Sequence, residues 1–269
     1  MKTVGVVTRG TTSARRLRRV ERWLLGTYPA LLRSPDLLAV DLGYGAVPVT
    51  TTSLHARLRE VNPTATVVGL EIDPARVQAA APWASPGLRF ERGGFELAGL
   101  RPQVVRAFNV LRQYDEGDVD AAWSLMARAL APGGVVVEGT CDESGRLGAW
   151  VTLDGVGPRS LTLALDPRRP PSAVAARLPK ALIHHNLEGE AVHRLLTDLD
   201  AQWRRLAGLG VFSPRQRVAA AVRALGSSGW PLLDGPSRWR RAELTVPWDL
   251  VAPRRSGAVG FGRESARSR

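Results

Sequence analysis

Between Leu37 and Cys141, five strand-like runs interleave with helical ones, and this rhythm constrains the fold more than anything else in the chain. "DLLAVDL", "TATVVGLEID", "GLRFERG", "QVVRAFNVL" and "VVVEGTC" are short and rich in Val and Leu, as strands buried on both faces are. "SLHARLREVN", "PARVQAAAPW" and "GDVDAAWSLMARALAPGG" have helical spacing. Thr52 or Ser53 serves as the cap of the first of these, Asp73 with Pro74 opens the second, and Pro-Gly-Gly closes the third. Strands joined through helices run parallel, so the expected class is α/β, a mostly parallel sheet with helices on both faces.

Flanking segments extend this unit. "SARRLRRVERWLLGTYPALLRS" predicts a helix, with Leu17, Val20, Leu24, Tyr28 and Leu31 on one apolar stripe and Pro29 bending or ending it. After Cys141, "RLGAWVTLD" and "RSLTLALD" predict a β-hairpin. Two helices follow, in "EGEAVHRLLTDLDAQWRRLAGLG" and "SPRQRVAAAVRALGSSG", and then a last strand in "WRRAELTVPWDLV". The expected division is a basic helical extension over 1–35, a catalytic-type domain over 36–252 with an acceptor-side elaboration at about 143–235, and a disordered basic tail over 253–269.

Composition narrows the classes. One cysteine, Cys141, excludes intramolecular disulfides and cysteine-rich zinc sites. There is neither a signal-peptide pattern nor a long apolar run, so a soluble cytoplasmic setting is the expectation. The net charge is +12, and 35 of the 37 basic residues are arginine. A surface of that kind attracts polyanions.

The chemistry gathers where strands end. In a parallel α/β sheet the ligand sits beyond the carboxyl ends of the strands. Asp41 closes the first strand, and Gly43 and Gly45 follow it, leaving bare backbone for close approach. Glu71 ends the second strand, where a carboxylate accepts hydrogen bonds from both hydroxyls of a ribose.

Taken together, "VDLGYG", "GLEID", "RFERGGFEL", "RAFNVL" and "LAPGGVVVEGT" resemble class I S-adenosylmethionine (SAM)-dependent methyltransferases in order and rough spacing, over about Leu37 to Thr140. The resemblance implies a Rossmann-like, seven-stranded sheet with an antiparallel final strand, and SAM as cofactor. It implies that Asp41, Gly43 and Gly45 surround the methionine part and that Glu71 binds the ribose, with Tyr44 and Ile72 beside them. Gly94 and Phe95 would lie by the adenine, and Asn109 by the amino-acid end or the methyl group. Three departures stand out: Val47 replaces a third glycine, the interval from Gly43 to Glu71 is long, and Gly94 stands where the family often has Asp. The adenine amino group would then fall to the backbone or to Glu96. A nicotinamide dehydrogenase is disfavoured by the missing third glycine and by the long interval to the acid.

No catalytic base is assigned, and the acceptor is unidentified, with RNA ahead of a small anionic metabolite. The alternative is a catalytically degenerate fold that binds RNA or a protein partner. Arg15, Arg16, Arg19, Arg22, Arg240 and Arg241 form the candidate RNA surface, with Trp239 as a base-stacking group. Cys141 reads as a buried, inert thiol rather than a nucleophile. No metal site is expected from His184, His185 and His193, although Lys180 and His185 suit an acceptor-side lid.

Overall fold

A computed structural model describes residues 3–7, 13 and 15–254. Its sheet has the order β3-β2-β1-β4-β5-β6-β7-β8. The first five strands are parallel: β1 (Leu38–Leu42), β2 (Thr66–Glu71), β3 (Leu88–Arg92), β4 (Val104–Phe108) and β5 (Val135–Cys141). The last three continue as an antiparallel meander: β6 (Gly148–Leu153), β7 (Pro158–Ala164) and β8 (Glu243–Pro247). The α/β architecture is the expected one. The sheet has eight strands where the resemblance implied seven, because the hairpin adds two strands after β5 and the final run pairs with its outer edge.

The helices are α1 (Arg18–Thr27), α2 (Pro29–Leu32), α3 (Val49–Val61), α4 (Pro74–Ala80), α5 (Val119–Ala129), α6 (Lys180–Ile183), α7 (Ala191–Arg205), α8 (Pro214–Ser227) and α9 (Pro236–Trp239). Pro29 ends one helix and opens the next, since its ring tolerates only a first-turn position. Asp73 caps α4 by accepting the Ala75 N–H at 2.9 Å. The α3 helix begins at Val49, ahead of the caps read at Thr52 or Ser53. Thr50 and Thr51 are therefore inside the helix, where their hydroxyls donate to Asp41.

Alternate strand residues feed two cores. Val40, Leu42, Val68 and Leu70 face the layer of α5, α7 and α8. Ala39 and Val67 face the layer of α1 and α3. The N-terminal helix is part of that second core: Leu17, Val20, Trp23 and Leu24 are buried, and Trp23 meets Trp150 edge-on at 5.3 Å. Each such aliphatic side chain contributes about 1.5–3 kcal/mol. Among the described residues no helix is long and apolar enough to cross a membrane. The tail from 255 onward lies outside the described residues.

Candidate functional site at the carboxyl edge of the sheet

The first strand runs into a loop that only glycine accommodates. Gly43 and Gly45 have φ of 71° and 83°, and a Cβ on Gly43 would stand 2.7 Å from Val110 Cγ2. Glu71, at the end of β2, is buried and turned toward this loop. Its Oε2 accepts the Gly45 N–H at 3.0 Å and its Oε1 the Ile72 N–H at 2.9 Å, with Arg76 3.5 Å away. Gly43, Glu71, Ile72, Gly94 and Phe95 thus converge on one cleft.

The cleft is filled from an unexpected direction. Residues 3–7 run through it as an extended strap. Phe95 N–H donates to the Val4 carbonyl at 3.0 Å, and Val4 N–H donates to Glu96 Oε2 at 2.8 Å. The Tyr114 hydroxyl accepts from Val6 N–H at 2.6 Å and lies 3.2 Å from the Val6 carbonyl. Gly94 is indispensable to this path, since a Cβ there would fall 2.0 Å from the Val4 oxygen. About 20 Å³ remains, room for about one water. Drug-sized ligands fill clefts of about 300–1,000 Å³, so no nucleoside enters while the strap is in place.

The donor set under the strap nevertheless has a specific chemistry. One backbone N–H and one carboxylate oxygen, side by side, bind an acceptor next to a donor. Val4 presents that pair as a peptide C=O and N–H. Adenine presents the same pair on one edge, as a ring nitrogen beside an amino group. Glu96 is held in this position by the Gly94 N–H, which donates to its Oε1 at 2.8 Å.

The strap is lightly held. Its four hydrogen bonds contribute about 1 kcal/mol each, whereas ordering five residues costs about 1–2 kcal/mol apiece. Val4, Val6 and Val7 remain 39–58% exposed, so little apolar burial tips the balance.

Three sequence-derived residues lie elsewhere. Asp41 is buried in a bidentate pair with Arg106, at 2.8 and 2.9 Å, and accepts the Thr51 hydroxyl at 2.7 Å. Arg106 in turn reaches Glu21 of α1 at 3.0 Å, so Asp41 is a structural member of a buried triad rather than a lining of the cleft. Asn109 has φ of 61°, a conformation Asn tolerates, and its amide faces Cys141: Oδ1 accepts the Cys141 N–H at 3.1 Å and Nδ2 lies 3.6 Å from Sγ. Tyr44 is buried edge-on to Phe90 at 5.4 Å. Burial pushes its phenol well up, reinforced by the Glu71 and Asp41 carboxylates. Burial also pushes the Cys141 thiol up, which suits an inert group.

Sequence reasoning named Glu96 but missed the strap that its carboxylate holds, and it missed Tyr114. The one signal was "TVGVVT", a β-branched run too short and too terminal to read as a strand. His185 Nε2 sits 2.6 Å from Glu116 Oε1, and among the described residues no cluster of three or more His, Cys, Asp or Glu could hold a metal.

No protein-family model matches the chain, and no curated protein matches it. Among solved structures it is similar to magnesium protoporphyrin IX methyltransferase from Synechocystis PCC 6803 with bound SAM, at 21% identity over 48% of this chain and 59% of that one, TM-score 0.38. It is similar to human N-acetylserotonin methyltransferase in complex with SAM, at 20% identity over 48% and 36%, TM-score 0.37. A third likeness is to the putative methyltransferase in complex with the Haloferax volcanii Trm112 activator, at 21% identity over 49% and 61%, TM-score 0.31. The chain spans less than two thirds of each of these three proteins. Its structural neighbours are class I SAM-dependent methyltransferases.

Proposed function

We propose that the chain is a SAM-dependent methyltransferase whose cleft opens when residues 3–7 leave it, with RNA ahead of a small anionic metabolite as acceptor. The observation that carries this reading is the pairing of the Val4 backbone C=O and N–H with Phe95 N–H and the Glu96 carboxylate, an acceptor–donor pattern that an adenine edge also presents. When bound, SAM supplies a methyl group on a sulfonium, ready for in-line displacement. Phe95 and Glu96 would hold the base. Glu71, oriented by the Gly45 and Ile72 amides, keeps lone pairs for the ribose hydroxyls. Gly43 and Gly45 would give the remaining chain access to bare backbone. Asn109 is committed to Cys141, so no side chain is assigned as a base; the proposed gain in rate comes from alignment of acceptor and methyl group.

A strap that competes for the site lowers apparent affinity by the fraction of open molecules. A variant lacking residues 1–7 is therefore expected to bind SAM and S-adenosylhomocysteine at least severalfold more tightly than the full chain in calorimetry. Glu71→Ala in the truncated variant should weaken binding by tenfold or more. Labelled methyl transfer into fractionated extract, with and without ribonuclease, then separates RNA from metabolite acceptors. The filled cleft favours one second reading, a degenerate fold whose strap never leaves and which acts as a binding module. If a truncated variant with an unchanged thermal melt binds neither nucleoside, that second reading replaces the first.

A further inference from the structure

A second, larger cavity of about 530 Å³ opens on the same edge of the sheet, beyond the carboxyl end of β5 and between the ends of β7 and β8. Arg15, Arg18 and Arg22 line it from the start of α1. Arg146 enters from the β5–β6 turn, Arg168 from the end of β7, Arg215 from α8 and Arg241 from the approach to β8. All seven are exposed, and among the described residues none of them is ion-paired. Arg19 ties the floor together: it pairs with Glu243 at 3.0 Å and donates to the carbonyls of Arg146, Leu165, Arg241 and Ala242. The single acid in the lining, Asp166, accepts the backbone N–H of Arg168.

Seven unneutralised guanidinium groups around one cavity repel each other, and an anionic occupant relieves that repulsion. Guanidinium forks match phosphate oxygens in geometry, and the 14-residue α8 begins here, adding the positive end of its dipole. Next to Ser213 of the lining stands Phe212, 76% exposed. Trp239, the stacking group expected from sequence, is half-buried and donates to Asp234 at 2.7 Å. Arg16 is held by the carbonyls of Cys141 and Asp142 and does not line the cavity, nor does Arg240.

We infer that this cavity binds the phosphodiester backbone of single-stranded nucleic acid, with Phe212 stacking a base at its rim. The name "acceptor" for that strand rests on the proposed function; the binding does not. Between the nucleoside cleft at β1, β2 and β4 and the cavity at β5–β8 lie about three strand spacings, on the order of 15 Å. A small phosphorylated metabolite cannot occupy both places, whereas several nucleotides span them.

The test is fluorescence anisotropy of the full chain with a labelled single-stranded oligoribonucleotide, without SAM. The double variant Arg168→Glu/Arg215→Glu should weaken binding at least tenfold and flatten the log–log salt slope by about 1.4, at about 0.7 per lost phosphate contact. Phe212→Ala should cost about tenfold. Arg101→Glu/Arg128→Glu makes the same charge change at exposed sites on the amino edge of the sheet and should leave binding nearly unchanged. Equal losses in the two double variants would overturn the inference, because only overall charge would then be at work. Displacement of the strand by tripolyphosphate at equal phosphate concentration would also overturn it, showing a small-anion site. A matching oligodeoxyribonucleotide separates the sources: tighter ribose binding names RNA, tighter deoxyribose binding names DNA, and either supports the backbone site. A strand that binds normally to a chain that never binds SAM would sink the proposed function and leave this inference standing.

Discussion

Arg106→Met is expected to destabilise the protein by about 3–5 kcal/mol, more than any exposed substitution proposed above. Arg106 is fully buried on β4, directly beside Asp41 of β1 in the sheet register, and spans Asp41, Glu21 and the Thr50 carbonyl. Its removal strands two carboxylates in a dry interior. Those carboxylates would then ionise less readily in the folded variant than in its unfolded chain. The variant's deficit should therefore grow as pH rises, because only the charged form of a stranded carboxylate is penalised by burial. Urea denaturation at several pH values reads this directly. Adding Asp41→Asn and Glu21→Gln should recover much of the loss at neutral pH. A deficit under about 1 kcal/mol with no pH dependence would show that water, rather than Arg106, satisfies these acids.

The second large effect has the opposite sign. Glu138 lies on β5 with both carboxylate oxygens buried and, among the described residues, without a partner in hydrogen-bond geometry, although the Trp123 indole N–H is near enough to act on it. Burial pushes its carboxyl from the ordinary 4.5 up to about 8, against a smaller opposing pull from the Trp123 indole. A raised acid favours the folded state only while it is protonated in both states, below pH 4.5. As pH rises further the unfolded chain ionises first, and stability drains away until the folded pKa near 8 is passed. At about 1.4 kcal/mol per pH unit, the loss reaches about 5 kcal/mol. Glu138→Gln should therefore match wild type near pH 4 and exceed it by several kcal/mol at pH 8.5. Coincident pH profiles for the two proteins would refute the assignment.

Both effects were visible as sequence anomalies whose resolution was not. "QVVRAF" and "VVVEGT" each place one charge inside an apolar strand, and a charge there must find a partner or lose its ionisation. Arg106 finds two carboxylates, whereas among the described residues Glu138 finds no cation. Nothing in a single strand's pattern distinguishes these outcomes, because the partners come from β1 and α1. The same limit applies to Asp41. Its position after β1 is legible, whereas its side chain belongs to the opposite face of the sheet from Leu42 and to the core built by α1 and α3.

The sequence alone determined the parallel α/β core, the hairpin after β5, the two long helices α7 and α8, and the placing of Gly43 and Glu71 at the carboxyl ends of β1 and β2. Those features follow from local periodicity and from the rule that ligands meet strands at their carboxyl ends. Tertiary structure alone decided that residues 3–7 fill the cleft and that the Glu96 carboxylate anchors them there. It also decided that arginines from α1, α8 and three sheet-edge loops surround one cavity. These are contacts between segments as far apart as Val4 and Glu96, or Arg18 and Arg241, and their free energy depends on through-space distance, which no local pattern encodes.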